Sequence, residues 1–257
     1  MKEVNISNLD GTQLDFLGTH TGLKRVFISN CKWSSIPTWI GNLTELEFLG
    51  ITKTQITTIP AAFEKLTKLT TLSLNGNQLT SVPHLYNNVG LANLSLQENK
   101  LTSLPEEIGQ LKNLKKLQLY KNNLSSLPAG IGGLSSLGNL QLGNNKLTKL
   151  PMELGNLTAL KDIYLEDNKF SKFPMALTKL GNLERLILKN NSLTSFPKGI
   201  SKMKKVSFFN FENNQIKTLG EEFFTMKRLF RIFTAGNPIG KKEKKKMKKT
   251  FGRRVKS

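Results

Sequence analysis

Cysteine is almost absent: one residue of 257, Cys31. No disulfide can therefore staple this chain to itself, and any closure of its ends must come from packing. Histidine and tryptophan occur twice each, and Cys31 has no histidine or second cysteine at zinc-ligand spacing. No metal or other cofactor is expected. The sequence has no run of about 18 apolar residues, which leaves no candidate membrane-spanning helix. Its start, Met1-Lys2-Glu3-Val4-Asn5, lacks the apolar stretch of a secretory signal. It also lacks a phosphate loop, a dinucleotide fingerprint and a nucleophile elbow, so no catalytic residue is assigned. No Gly/Ser/Pro-rich linker divides it, which argues for one elongated domain.

What the chain has in abundance is periodicity. A block of about 23 residues opens with LxxLxLxxN and continues LxxLPxxIxxL. Its first position is occupied by Met1, Leu23, Leu46, Leu69, Leu91, Leu114, Leu137, Leu160, Leu183, Val206 and Leu229. Positions four and six are almost wholly apolar, as in Leu117 and Leu119 or Ile163 and Leu165. Strand side chains alternate faces, so four and six point inward while three, five and seven point outward, and each turn supplies one short parallel strand. Position nine is asparagine from Asn77 to Asn237, with two donors and an acceptor for the backbone of neighbouring turns. Leu9, Cys31 and Thr54 stand there in the first three turns, and Cys31 is expected to be a buried structural thiol.

Eight of the nine prolines, Pro37 to Pro197, fall at position fifteen. Proline fixes its own φ and donates no hydrogen bond, so extended or short 3₁₀ segments are expected there. Asp15 and Gly220 replace it at the ends. The turn beginning at Leu69 is one residue short, and Pro83-His84-Leu85-Tyr86-Asn87-Asn88-Val89 is expected to form an irregular loop with His84 at the surface. Burying one leucine stabilises by roughly 1.5 to 3 kcal/mol, too little for one turn to offset its own ordering entropy. Stacking must make the chain fold.

The stretch Leu101-Thr102-Ser103-Leu104-Pro105-Glu106-Glu107-Ile108-Gly109-Gln110-Leu111-Lys112-Asn113-Leu114 resembles the 23-residue LPxxIxxL class of leucine-rich repeats, which includes the leptospiral family and the Scribble-type and Ras-scaffold proteins. The resemblance covers nearly the whole chain and rests on buried positions, so it transfers no site residue. It implies an α/β solenoid: a right-handed horseshoe with a parallel β-sheet on the concave face, extended or 3₁₀ segments on the convex face, and a short C-terminal capping helix. It also implies a protein-binding role, with a bacterial origin as one possibility among its members.

Residues 1–240 are assigned to the solenoid, about ten turns plus a partial last one, and 241–257 to a basic cap. The latter holds ten basic residues against Glu243, nearly half of the chain's formal net charge of +20. Met247 and Phe251, at i and i+4, and Val255 would cover the exposed end of the core. The same lysines offer a second reading, a basic arm for nucleic acid or anionic lipid.

Outward strand positions carry two aromatic groups. Phe27 and Phe48 lie near the amino end; Tyr164, Ile187, Phe208 and Phe233 form a larger group, with Tyr120 two turns earlier. From Tyr164 to Phe233 is three strand steps, roughly 14 Å. Aromatic anchors on a strand face are enriched in interfaces. Around them the charge is mixed: Asp162, Glu166 and Asp167 on one turn, Arg185 and Lys189 on the next, Lys115, Lys116 and Lys121 two turns before. A nucleic-acid groove would be uniformly basic. Other matches follow from the repeat itself, namely the sequons at Asn42 and Asn156 and the docking-like Lys205-Val206-Ser207-Phe208, while the adjacent pairs Glu106-Glu107 and Glu221-Glu222 lack glycosidase geometry.

The expected function is thus a non-enzymatic scaffold binding an unidentified protein on the concave sheet, a host protein if the chain is exported. Electrostatic binding of nucleic acid or anionic membrane through the basic C-terminus is one alternative, a homo-oligomerising structural protein the other, and a monomer or weak homo-oligomer the expected state. A cytoplasmic location is expected, or a secreted or surface one if a leader preceded Met1.

Overall fold

The computed structural model describes residues 2–8, 14–82, 84, 85 and 87–256. Met1 and Leu9 of the repeat register, Pro83 of the proline row, Tyr86 of the short turn and Ser257 of the tail lie outside the described residues. The strands are β1 (Glu3–Ser7), β2 (Arg25–Ser29), β3 (Phe48–Thr52), β4 (Thr71–Ser73), β5 (Asn93–Ser95), β6 (Lys116–Gln118), β7 (Asn139–Gln141), β8 (Asp162–Tyr164), β9 (Arg185–Ile187), β10 (Phe208–Asn210), β11 (Arg231–Phe233) and β12 (Val255–Lys256). They form one parallel sheet in strict chain order. This is a leucine-rich repeat solenoid, its sheet on the concave side.

Register follows the repeat, for Val26 pairs with Leu49, Leu140 with Ile163 and Leu186 with Phe209. A slip of one residue would turn every inward aliphatic toward water, so the buried face fixes the pairing. Leu114, Leu117 and Leu119 are fully buried, and their counterparts in neighbouring turns stack on them in one continuous core.

The asparagine row is a hydrogen-bonded ladder. In Asn145, the amide nitrogen donates to Leu119 O in the preceding turn at 3.0 Å and to Leu142 O in its own at 3.0 Å, while Oδ1 accepts from Leu124 N at 3.0 Å. Asn99, Asn122, Asn168, Asn191 and Asn214 repeat the arrangement. Each amide thus bonds buried backbone groups of two turns, and carbonyls of the row, such as Leu119 O, accept from two successive asparagines. Cys31, at the same position, is buried and donates its thiol to Ser29 O at 3.4 Å.

A feature not anticipated from sequence is the residue just before this row. Asn8, Asn30, Lys53, Glu98, Lys121, Asn144, Asp167, Asn190 and Asn213 all have φ between 52° and 61°, and Gly76 and Gly236 have φ 68° and 70°. A left-handed residue there turns the chain out of each strand. Asparagine, aspartate and glycine tolerate that conformation best, and they hold eight of these eleven places.

On the convex side, Pro37, Pro60, Pro105, Pro128, Pro151 and Pro174 each immediately precede a five-residue 3₁₀ helix, with φ between −61° and −75°. Proline suits this place because the first turn of a helix leaves its N–H groups unpaired in any case. Between β4 and β5 the described residues contain no 3₁₀ helix, in keeping with the missing residue of that turn. Instead buried Asn88 donates to Phe63 O and Leu66 O of the preceding turn at 3.1 and 2.8 Å. His84 lies at the loop surface against Glu64, with Nδ1 2.7 Å from Oε1.

After the last full turn comes helix α1 (Lys241–Phe251). Met247 and Phe251 are buried; the Phe251 ring meets Phe223 edge-on at 5.7 Å and stacks on Phe224 at 6.0 Å. Glu243 accepts Leu219 N at 3.2 Å, and Lys246 reaches Glu221 at 2.5 Å while lying 4.2 Å over the Phe224 ring. Val255 departs from expectation. It does pack partly on the core, but as part of β12, paired with Ile232 through a reversal at Gly252, whose φ is 57°. The tail therefore adds a final strand as well as a helix. No helix among the described residues is long and apolar enough to cross a membrane.

Candidate partner-binding face

The sheet's outward side is built by positions three, five and seven. All seven aromatic or aliphatic residues singled out there are half-buried rather than projecting fully into solvent. Phe27 lies over Gly50, where a Cβ would collide with its ring. Its centroid is 6.5 Å from that of Phe48, and the Arg25 guanidinium sits 4.7 Å over the latter.

The second group is more tightly joined. Tyr164 and Ile187 are direct cross-strand neighbours; Asn210 then separates Ile187 from Phe233 along the same row. Phe208, on the adjacent row, bridges that gap with its ring 5.1 Å from Phe233. Arg185 links the two halves, donating from Nη1 to the Tyr164 oxygen at 3.1 Å and lying 5.3 Å over the Phe208 ring. That hydrogen bond to Tyr164, more than nearby Asp162, pushes the pKa of Arg185 above its ordinary value. Tyr120 is not brought into the group. It stands two strands before Tyr164, about 10 Å away by strand spacing, and no ring contact among the described residues joins it to the others.

Charges on this face are paired across strands. Lys121 lies 3.4 Å from Glu98, Arg185 3.9 Å from Asp162 and Lys189 4.0 Å from Glu212, while Asn190 donates to Asp167 at 2.7 Å. Glu166 has no such partner among the described residues. It lies over Gly143, where a Cβ would collide with Oε1, and its buried Oε2 has no hydrogen-bond partner. Burial raises its carboxyl pKa, and neighbouring Asp167 adds to the rise.

The carboxylates of the convex side serve the fold. Glu106 accepts Gly130 N at 2.6 Å, and Glu222 accepts Gly199 N at 2.6 Å and Ser201 Oγ at 2.9 Å. The described residues contain no cluster of three or more His, Cys, Asp or Glu able to hold a metal ion.

Sequence reasoning passed over one surface at the carboxyl end of the sheet. Phe230, 66% exposed, lines an open groove of about 370 Å³ with Arg231, Phe233, Arg253, Arg254 and Lys256. Its signal was the return of the tail as β12, which no spacing in the repeat announces.

Comparison with known proteins matches residues 75–187 to a leucine-rich repeat region, residues 44–87 to a two-copy leucine-rich repeat model and residues 182–203 to a single repeat. No curated protein sequence matches significantly. Among solved structures, a leucine-rich repeat protein of Leptospira interrogans is 25% identical over all of this chain and 90% of its own, with a TM-score of 0.42. An internalin of Listeria monocytogenes is 21% identical over 95% of this chain and 76% of its own, with a TM-score of 0.72. The leucine-rich repeat ectodomain of the receptor kinase GASSHO1/SCHENGEN3 from Arabidopsis thaliana, solved with CASPARIAN STRIP INTEGRITY FACTOR 2, is 27% identical over 92% of this chain, with a TM-score of 0.73. This chain spans only 33% of that ectodomain. With a 23-residue period, an unbroken asparagine ladder from Asn77 to Asn237 and family models running from residue 44 to 203, the chain belongs to the leucine-rich repeat proteins.

Proposed function

We propose that this chain is a non-enzymatic recognition scaffold that seats a segment of a protein partner across its concave sheet, with Tyr164, Ile187, Phe208 and Phe233 as anchors. The observation that carries the reading is the Arg185 bridge between Tyr164 and Phe208. It holds the two rings in place before any partner arrives, which lowers the ordering cost of binding. Solenoids offer extended concave surfaces for such contacts, and the plant ectodomain with its bound factor is one similar structure. Cross-strand pairing of opposite charges along the face, as in Lys121 with Glu98, favours a protein over a nucleic acid, which would meet Glu98, Asp162, Glu166 and Glu212 as repulsive neighbours.

Tyr164→Ala combined with Phe233→Ser tests this. Affinity capture from the native source, read by mass spectrometry against wild type, should lose its specific partner while the thermal midpoint moves little, since both side chains lie outside the core. Capture at wild-type level would sink the assignment. Light scattering on the same pair separates partner binding from self-association: a change in mass would make the patch a contact between copies.

A further inference from the structure

Several cations on this solenoid are paired with carboxylates on neighbouring turns: Lys24 with Glu47 at 2.6 Å, Arg25 with Glu3 at 3.4 Å, Lys246 with Glu221 at 2.5 Å. The groove at the end of the sheet instead gathers four cations around one hollow. Arg231, Arg253, Arg254 and Lys256 all line it, and no carboxylate pairs with any of them among the described residues. Arg254 reaches only Leu229 O, at 3.4 Å, and Arg231 only the face of Phe230, at 5.9 Å. Four unpaired cations around one hollow repel one another, a cost that a bound anion would remove. The walls between them are phenyl rings, and one, Phe233, is also the last anchor of the concave patch.

We propose that this groove receives an acidic stretch of the protein partner, its carboxylates on Arg231, Arg253 and Arg254 and one apolar side chain between Phe230 and Phe233. Arginine suits the task because its planar fork binds a carboxylate through two donors. A hollow of about 370 Å³ has room for side chains. Charge also gives the bound segment a direction: its acidic end lies at β12, away from the Asp162, Glu166 and Asp167 of β8 and the residues after it. The inference rests on the concave-face reading only through Phe233.

The test uses fluorescence anisotropy with a labelled six-residue peptide, Glu-Phe-Glu-Glu-Phe-Glu, beside the same peptide with Gln for Glu, and vesicles of phosphatidylcholine and phosphatidylserine. Wild type should bind the acidic peptide, more weakly as salt rises, and prefer it to the Gln form. Arg231→Glu with Arg253→Glu should lower affinity about tenfold or more; Lys242→Glu with Lys249→Glu, an equal charge change on the exposed side of α1, should lower it less than about twofold. Arg253→Gln alone, confirmed folded by circular dichroism, should weaken binding in the same direction if the double reversal does not fold. Equal losses in the groove and helix variants would show diffuse charge attraction and overturn the proposal. So would equal binding of the Gln peptide, or vesicle binding that is lost with the groove reversal while the peptide does not bind. Tyr164→Ala leaves the groove intact, so peptide binding that fails while capture still depends on Tyr164 removes the groove and leaves the concave-face reading standing.

Discussion

The middle turns and the last three turns hold themselves together by different means. From Leu91 to Leu165 the core is leucine with an occasional isoleucine, and an asparagine links every turn to the one before it. Past Phe170 rings take over. Phe196 lies within 5.1 to 5.9 Å of Phe173, Phe209, Phe211 and Phe223, and Phe223 carries the network on to Phe224 and Phe251 of helix α1. In the middle, cohesion is spread evenly over backbone bonds and small contacts that repeat with the sequence. At the end it is concentrated in a few large side chains, and that is what allows an added helix to dock where the repeat stops. Coupling in a solenoid passes only between neighbours, so the two regions respond separately to damage.

The largest expected effect lies in the ring network. Phe223→Ala removes a fully buried side chain that touches five other rings, and the cost should be about 3 to 5 kcal/mol in denaturant unfolding. It should also release α1, visible as loss of helical signal at 222 nm ahead of the main transition. In the middle, Asn145→Ala leaves buried Leu124 N without its side-chain acceptor and takes from Leu119 O one of its two side-chain donors, at a cost of about 2 kcal/mol. No separate early transition should accompany it. Should Asn145→Ala prove the costlier of the two, cohesion at the carboxyl end does not depend on the rings and the contrast fails.

How far sequence reading reached follows the same divide. Where the period is strict, it supplied the inward positions, the pairing register, the role of Asn145 and its equivalents, and the proline-started 3₁₀ turns, because each of these depends on residue type and spacing alone. The left-handed row was legible in Asn144, Asp167 and Asn190 but obscured by Lys53, Glu98 and Lys121, whose side chains do not advertise that conformation. At the carboxyl end, Met247 and Phe251 announced the helix through their i, i+4 spacing, whereas β12 has only two residues and no pattern to carry a signal. On the aromatic face, the cross-strand pairing of Tyr164 with Ile187 follows from the repeat register. Tyr120, placed two turns before Tyr164 by the repeat, makes no ring contact with that group among the described residues. Arg185 was noted only as a charge, since a bridge between two rings depends on side-chain geometry.

The smallest effect belongs to Glu166, and its sign can be worked out. Burial raises the folded-state pKa above that of the unfolded chain, so ionisation costs more in the folded protein. Below the ordinary carboxyl range both states are protonated and no penalty arises. As pH climbs past the ordinary value and through the raised one, the folded state keeps its proton longer and then surrenders it at a loss, so stability falls with rising pH. Glu166→Gln removes the titration. Its thermal midpoint should exceed that of wild type near neutral pH, and the gap should close below about pH 4. The middle turns make this a clean measurement, since Gly143 and the ladder at Asn168 hold the site in place on either side of the titration. A gap that stayed constant with pH would mean that packing over Gly143, and not the charge, governs this position. A gap that widened toward acid would reverse the assigned direction.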